Sequence, residues 1–544
     1  MRNLGIALLL AATSSAALAQ PATRPAQPPK LLIAISVDQL SGDIFDEYRP
    51  HFTAGLKRLS GGTVFRNGYQ SHAATETCPG HSTMLTAKRP ASNGIVANSW
   101  IDQSASRQDQ VIYCAEDESV AGSTSTSYSV SPIHLNAETL GDRFKKLSPA
   151  SRNVAVAGKD RAAVMMGGRN VDQRWYWNGQ IFATDLKARP TPAVVTAFNV
   201  GLTTALAVAR PALAPPPLCS ARARGYDLAP GVRAGDHRFE RAAGDLRAFR
   251  ISPEFDGATL ALSAGLIQEM GLGRGPATDI ISVGLSATDY IGHAYGSGGM
   301  EMCLQVLALD RELGDFFAQL DLSGIDYAVM LTADHGVMDL PERLRDKGVA
   351  DAARADPALA ASEVGKRLAP RVNRTDSVLK GIGIAGDIWI DASLPAAERS
   401  RVLADALASY RAHPQVFAAF GRDEIMKVAM PTGSPDRWSV IERIRASFDP
   451  KRSGDLYVVL KQHISPIAVP SKGYTATHGS VWDHDRRVPI LFWRKGMAAS
   501  DRPEHIETVD IMPTLAALLG LAVDARALDG KCLGDVEGIS CPAR

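Results

Sequence analysis

The sequence carries almost no excess charge: Lys and Arg number 59, Asp and Glu 58, for a formal net charge of +1. That balance argues against a nucleic-acid coat or a polybasic membrane binder. A bilayer-spanning helix needs ~20 apolar residues, and the N-terminal apolar run Leu4–Ala12 breaks at Thr13-Ser14-Ser15. No C-x-x-C spacing occurs, which weighs against a thiolate metal site. There is no internal repeat. What remains is a chain of 544 residues, long enough for one large domain with insertions or for two or three domains.

The first residues read as an address. Arg2 gives a positive start, Leu4–Ala12 an apolar stretch, and Ala17-Leu18-Ala19 an A-x-A cleavage site before Gln20. A cleaved signal peptide over residues 1–19 is expected, and no cysteine stands at the cleavage point to carry a lipid. A Pro-rich leader follows at 20–29. The six cysteines, Cys78, Cys114, Cys219, Cys303, Cys532 and Cys541, suit disulfides in an exported chain, with the connectivity open. Cys532 and Cys541, close in sequence, are the easiest pair to assign.

A recurring pattern organises the middle of the chain. Leu31–Val37 is a continuous apolar run, as expected of a strand buried on both faces, and it ends in Asp38. Val154–Ala157 runs into Gly158-Lys159-Asp160-Arg161, Ile280–Leu285 towards Asp289, and Tyr327–Thr332 into Asp334-His335. Val306, Leu309, Leu313, Phe316, Phe317 and Leu320 share a helical stripe between the last two runs. Strand–helix–strand implies a parallel sheet, so the expected fold class is α/β, a doubly wound, mostly parallel sheet. In such sheets ligands bind beyond the C-terminal ends of the strands. Residues at about 170–255 and 341–471 break the rhythm and are expected to be insertions that cap this edge. Val488–Trp493 and a helix at Ile511–Leu519 return to the core.

The chemistry centres on Thr75-Glu76-Thr77-Cys78-Pro79-Gly80-His81-Ser82. Pro is favoured in a first helical turn, where its missing N–H would be unpaired anyway. Thr77 is therefore expected where a loop enters a helix, a seat for phosphate. Its hydroxyl needs a base or a metal to become a nucleophile. Asp38, Asp289, His293, Asp334, His335 and His478 supply three carboxylates and three imidazoles, a set suited to two zinc ions. Asp289 and His293 share one face if that segment is helical. Two metals ~3.5–4 Å apart suit in-line phosphoryl transfer. Lys159 and Arg161 could meet the non-bridging oxygens, and Asn98 could donate an amide N–H to the same group. Singly, each has a plainer reading as a cap, a turn former or a solvated charge; their co-occurrence carries the inference.

From about Lys30 to the C-terminus the chain resembles the alkaline phosphatase superfamily, and within it the PafA-like threonine-nucleophile phosphate monoesterases. The motifs occur in order and include Val509-Asp510-Ile511-Met512-Pro513-Thr514, similar to the usual entry to the last helix. The resemblance implies that residues 30–544 form one catalytic domain with Thr77 as phosphorylated nucleophile. It implies Asp38, Thr77, Asp334 and His335 as ligands of one zinc, and Asp289, His293 and His478 of the other. Asn98, Lys159 and Arg161 match phosphate-binding side chains. Disulfides Cys78–Cys114, Cys219–Cys303 and Cys532–Cys541 and a periplasmic or secreted location are implied as well. The implied partners are small-molecule phosphate monoesters, with neither specific nucleic acid nor a stable membrane anchor.

Relatives are separated by small differences. Sulfatases resemble C/S-x-P-x-R, whereas here Thr77 stands in the first place, His81 replaces the Arg and Cys78 falls one position late. Nucleotide pyrophosphatase/phosphodiesterases resemble T-x-P-N-H, where this chain has Gly80 for the Asn. A monoester brings two terminal charges, a diester one, so the cation pair Lys159 and Arg161 favours monoesters. His81 is expected to orient the helix start rather than bind metal. The rivals to an alkaline phosphatase are a phosphodiesterase of the same superfamily and a non-catalytic zinc-binding module.

Overall fold

The computed structural model describes residues 27–542. The expected signal peptide at 1–19 and most of the leader at 20–29 lie outside the described residues. Leu31–Val37 is a strand buried at every position. Its odd-numbered side chains Leu31, Ile33, Ile35 and Val37 enter one hydrophobic cluster. Leu32 and Ala34 enter another on the opposite face. The uninterrupted apolar run is thus explained: neither face of this strand meets water.

Ten strands of the described residues form one sheet. Its centre runs Arg487–Arg494, Tyr327–Thr332, Leu31–Val37, Asp279–Leu285, Asn153–Ala157 and Gln173–Trp177. The last five of these are mutually parallel. Arg487–Arg494 runs antiparallel to Tyr327–Thr332 and to Thr63–Tyr69. Register is level at the functional end: Val37 lies opposite Leu285, Ser36 opposite Thr332, and Gly284 opposite Ala157. Four neighbouring strands therefore release their next residues at one height. The helix Met300–Ser323 buries Val306, Leu309, Leu313, Phe317 and Leu320, the expected stripe, against the sheet.

The stretch expected as a first insertion, at about 170–255, departs from that reading. Gln173–Trp177 pairs parallel with Asn153–Ala157, and Phe182–Ala183 adds beside it. These residues extend the main sheet, so the excursion begins only after Ala183. Arg174 and Tyr176 on one face and Trp175 and Trp177 on the other are all buried, which hides any alternation that would mark an ordinary half-exposed strand.

Within 341–471 a helix forms over Ala396–Arg411 beside regular strands. Leu379–Gly381, Gly386–Ile390, Leu456–Leu460 and Val416–Gly421 make an antiparallel four-stranded sheet. It has its own core, with Ile388, Ile390, Val458, Val402 and Tyr410 buried together. All six cysteines pair: Cys78–Cys114, Cys219–Cys303 and Cys532–Cys541. No helix among the described residues is long and apolar enough to cross a membrane.

Candidate active site

Thr77 opens the helix Thr77–Met84, with Glu76 as the flanking residue and Pro79 in the first turn. Every residue of that helix is buried. It lies so close to the end of Tyr327–Thr332 that a Cβ on Gly80 would collide with the Asp334 carbonyl oxygen. A side chain at Gly80 is excluded by backbone, which does not yield as a side chain would.

The carboxylates arrive from the level strand ends. Asp38 follows Leu31–Val37, and Asp334 follows Tyr327–Thr332. Asp289 and His293 lie one turn apart on the helix Ala287–Tyr295, as their spacing requires. His293 Nε2 is 3.3 Å and His478 Nε2 3.4 Å from Asp289 Oδ1. His335 Nε2 is 3.2 Å from Asp334 Oδ2 and 3.9 Å from Asp289 Oδ1, between the two halves of the site. The His335 and His478 rings stack with centroids 3.5 Å apart.

The three imidazoles are oriented alike. Nδ1 of His293, His335 and His478 faces the carbonyl oxygens of Ala476, Gly336 and Thr75 at 2.8, 3.0 and 2.8 Å. A carbonyl only accepts, so each Nδ1 carries a proton, and it is Nε2 that holds the lone pair when the ring is neutral. This is the arrangement that metal-binding histidines use.

Candidate ligand atoms gather in two groups, Asp289 with His293 and His478, and Asp38 with His81 and Asp334; within each they lie within 4.8 Å of one another. Asp38 Oδ1, Asp334 Oδ2, His81 Nε2 and His335 Nε2 are buried without a hydrogen-bond partner. Buried carboxylates left so are costly unless a cation meets them. The donors are nitrogen and oxygen only, a set that fits divalent metal ions of the zinc type.

His81 is the residue the sequence reading set aside. One turn beyond Thr77, it is fully buried, with Nδ1 2.9 Å from the Thr77 carbonyl. Its Nε2 lies 3.3 Å from Asp38 Oδ1 and its Nδ1 3.3 Å from Asp334 Oδ2. The signal was available: Thr77 and His81 are four apart, the spacing of one helical face. Gln39 was also missed. At φ 68°, its backbone N–H donates to Asp334 Oδ1 at 3.0 Å and its side chain to Asp289 Oδ1 at 2.9 Å.

The residues expected on phosphate behave differently from one another. Arg161 Nη2 stands 3.4 Å from the Thr77 hydroxyl. Lys159 instead bridges carboxylates, with Nζ 3.0 Å from Asp38 Oδ2 and 2.5 Å from Asp289 Oδ2. Asn98 accepts the Cys78 N–H through Oδ1 at 2.8 Å, tying it to the start of the Thr77 helix.

Electrostatics follow these contacts. Burial would lower the Lys159 ammonium, but the Asp289 and Asp38 carboxylates outweigh it and hold its pKa above the ordinary value. Burial would raise Asp289, yet His293 and Lys159 keep it well below the usual carboxylate range. His335, buried but beside Asp334, is pushed up to about 9. His478 is pulled down to about 4 by burial and by His335.

A cleft of about 800 Å³ opens over these groups. Asn98, Arg161, His293 and His478 line its floor, and Trp389 and Tyr457 of the four-stranded sheet form one wall.

Residues 32–485 match the model of the family described as type I phosphodiesterase / nucleotide pyrophosphatase. The chain is 51% identical to alkaline phosphatase PhoK of Sphingomonas sp over 520 residues, covering 94% of this chain and 92% of PhoK. It is 43% identical to alkaline phosphatase PhoD of Zymomonas mobilis, covering 97% of this chain and 92% of PhoD. The solved structure of alkaline phosphatase PafA superposes with a TM-score of 0.81 at 23% identity, over 94% of this chain and 100% of that one. The fold is therefore that of an alkaline phosphatase core, and the chain belongs to the type I phosphodiesterase / nucleotide pyrophosphatase family of the alkaline phosphatase superfamily.

Proposed function

We propose that this protein is an exported, two-zinc alkaline phosphatase that hydrolyses phosphate monoesters through a phosphothreonine at Thr77. The observation that carries the reading is the meeting of Thr77, at a buried helix start, with the Arg161 guanidinium beside two clusters of candidate ligand atoms, one of which holds buried carboxylate and imidazole atoms without hydrogen-bond partners. The names of PhoK and PhoD, at 51% and 43% identity, support the same activity.

Asp38, Thr77, Asp334 and His335 are proposed to hold one zinc, and Asp289, His293 and His478 the other. Zinc bound there supplies Lewis acidity, lowering the pKa of a hydroxyl or a water and steadying charge on oxygen. The chain supplies the rest. Thr77 Oγ1 forms a bond to phosphorus as the ester P–O bond opposite it breaks, and the alcohol leaves with a proton. Water then attacks the same phosphorus and Thr77 Oγ1 departs, regenerating the hydroxyl and releasing phosphate. Arg161 takes the non-bridging oxygens, bidentately where geometry allows. Lys159, whose ammonium lies on Asp38 and Asp289, would share that charge, with Asn98 donating from its amide. Two cations facing the phosphoryl group match the two terminal charges of a monoester.

Export is supported by the signal-like N-terminus and by the pairing of all six cysteines, which suits an oxidising compartment. The family description also includes phosphodiesterases; the cation pair is what favours the monoester reading over that one. The test is Thr77→Ala beside the native enzyme. The native enzyme, quenched in acid during turnover, should show one added phosphoryl mass on the Thr77 peptide. The variant should keep its metal content, show no adduct and lose about a thousand-fold or more in kcat. Near-native turnover by Thr77→Ala would sink the mechanism.

A further inference from the structure

The guanidinium of Arg161 has two side-chain hydrogen bonds, to the hydroxyls of Thr77 and Tyr113, each at 3.4 Å, and none to a carboxylate. A half-buried cation at the edge of the cleft, held only by neutral oxygens, keeps its charge for an anionic ligand. Its aim then depends on the hydroxyl behind it. Tyr113 is that hydroxyl: it accepts from Arg161 Nη1 and donates to Asp160 Oδ1 at 2.8 Å. Tyr128 donates to the other oxygen, Oδ2, at 2.8 Å, and its ring lies 4.6 Å from that of Tyr113. The Arg161 backbone N–H also donates to Asp160 Oδ1, at 2.8 Å. Asp160 is thus fixed by three donors and in turn fixes the Tyr113 hydroxyl.

Tyr113 reaches this position from a separate excursion of the chain. It ends the strand Val111–Tyr113, which pairs with Ser99–Ile101 just past Asn98. The next residue, Cys114, is bonded to Cys78, the residue after Thr77. Covalent and hydrogen-bonded links therefore close a ring through Thr77, Cys78, Cys114, Tyr113 and Arg161. Burial, and then the Asp160 carboxylate, push the Tyr113 hydroxyl well above its ordinary value, so it keeps its proton in alkaline solution and stays a donor to Asp160.

We propose that Tyr113 is the positioning residue that aims Arg161 at the phosphoryl group, and that it thereby sets the preference for monoesters over diesters. The inference rests on the proposed role of Arg161. A diester offers one terminal charge fewer, so loss of aim should weigh on monoesters most.

Tyr113→Phe, Arg161→Ala and the double variant would be assayed on p-nitrophenyl phosphate and bis-p-nitrophenyl phosphate, with inorganic phosphate inhibition and thermal melting recorded for each. Tyr113→Phe is expected to lower monoester kcat/KM by about ten-fold and to weaken phosphate inhibition similarly, with diester kcat/KM within about two-fold. In the Arg161→Ala background it should add nothing further. Tyr128→Phe, which touches Asp160 but not Arg161, should show the same pattern more weakly. Equal losses on both substrates, or a full additional loss in the double variant, would make Tyr113 merely structural and overturn the proposal. An unchanged monoester rate in Tyr113→Phe would overturn it as well. If Arg161→Ala itself left the selectivity unchanged, the role of Arg161 would fall first, and the proposal with it.

Discussion

Gly80 and Asp334 meet backbone to backbone: the Thr77 helix passes so near the Asp334 carbonyl oxygen that a Cβ on Gly80 would overlap it. The same approach brings His81 to 3.3 Å from Asp334 Oδ2. The glycine that stands in the Asn place of T-x-P-N-H thus permits a close seat of the Thr77 helix on the strand end that carries Asp334. Gly80→Ala is expected to cost about 1–3 kcal/mol of stability. Because Thr77 and His81 ride on the displaced helix, kcat/KM should fall at least about ten-fold. Melting curves and steady-state rates check both; a fully active Gly80→Ala would mean that the two backbones are free to part.

Much of this site could be read before its geometry was known, for a specific reason. Asp38 and Asp334 close uninterrupted apolar runs, Asp289 lies one turn beyond another, and those runs are strands buried on both faces. The loop around Thr477-His478-Gly479 was legible as a candidate, but its pairing with Asp289 only by resemblance, since its Nε2 meets Asp289 from 189 positions along the chain. The contacts of Lys159 were not legible, because local sequence names a charge but not its partner; Asp38 and Asp289 follow two other strands. Gln173–Trp177 escaped notice as a strand because aromatic residues buried on both faces show no period of two. The four-stranded sheet was hard to read because two of its strands, Leu379–Gly381 and Gly386–Ile390, are short.

His335 and His81 both face Asp334, and metal content separates their roles. His335→Gln is expected to lose about one metal equivalent per chain and at least about ten-fold in metal affinity. His81→Gln should retain both equivalents and lose activity through the position of Thr77. Metal analysis after dialysis against a weak chelator reads the difference. Equal metal loss in the two variants would make His81 a ligand.

Arg161→Ala should be selective. If Arg161 meets the phosphoryl dianion as proposed, removing its guanidinium should lower monoester kcat/KM by about a hundred-fold or more. The diester rate should fall much less, so the ratio of the two kcat/KM values is the measurement. A uniform loss would indicate a structural role for Arg161.

Asp256 gives a pH dependence with a defined sign. Burial raises its carboxyl from 3.8 to about 7. The folded chain therefore keeps a proton that the unfolded chain releases at lower pH. Its contribution to stability is present below the ordinary carboxylate value, falls as pH rises to about 7, and is level above. Asp256→Asn titrates in neither state, and Gln305, with Nε2 on Asp256 Oδ2 at 2.8 Å, can turn its amide to accept the new donor. Between pH 4 and pH 8 the variant should gain on the native chain by about 2–4 kcal/mol. Denaturant midpoints of chelated protein at each pH check this; a constant difference would place the Asp256 pKa near its ordinary value.

The most direct measurement is the rate of zinc-loaded native enzyme on p-nitrophenyl phosphate and on bis-p-nitrophenyl phosphate, each repeated after chelation and after restoring zinc. The expected result is a strong monoester preference that chelation abolishes and zinc restores. A diester preference, or turnover indifferent to chelation, would contradict a two-zinc phosphate monoesterase built on Thr77, Lys159 and Arg161.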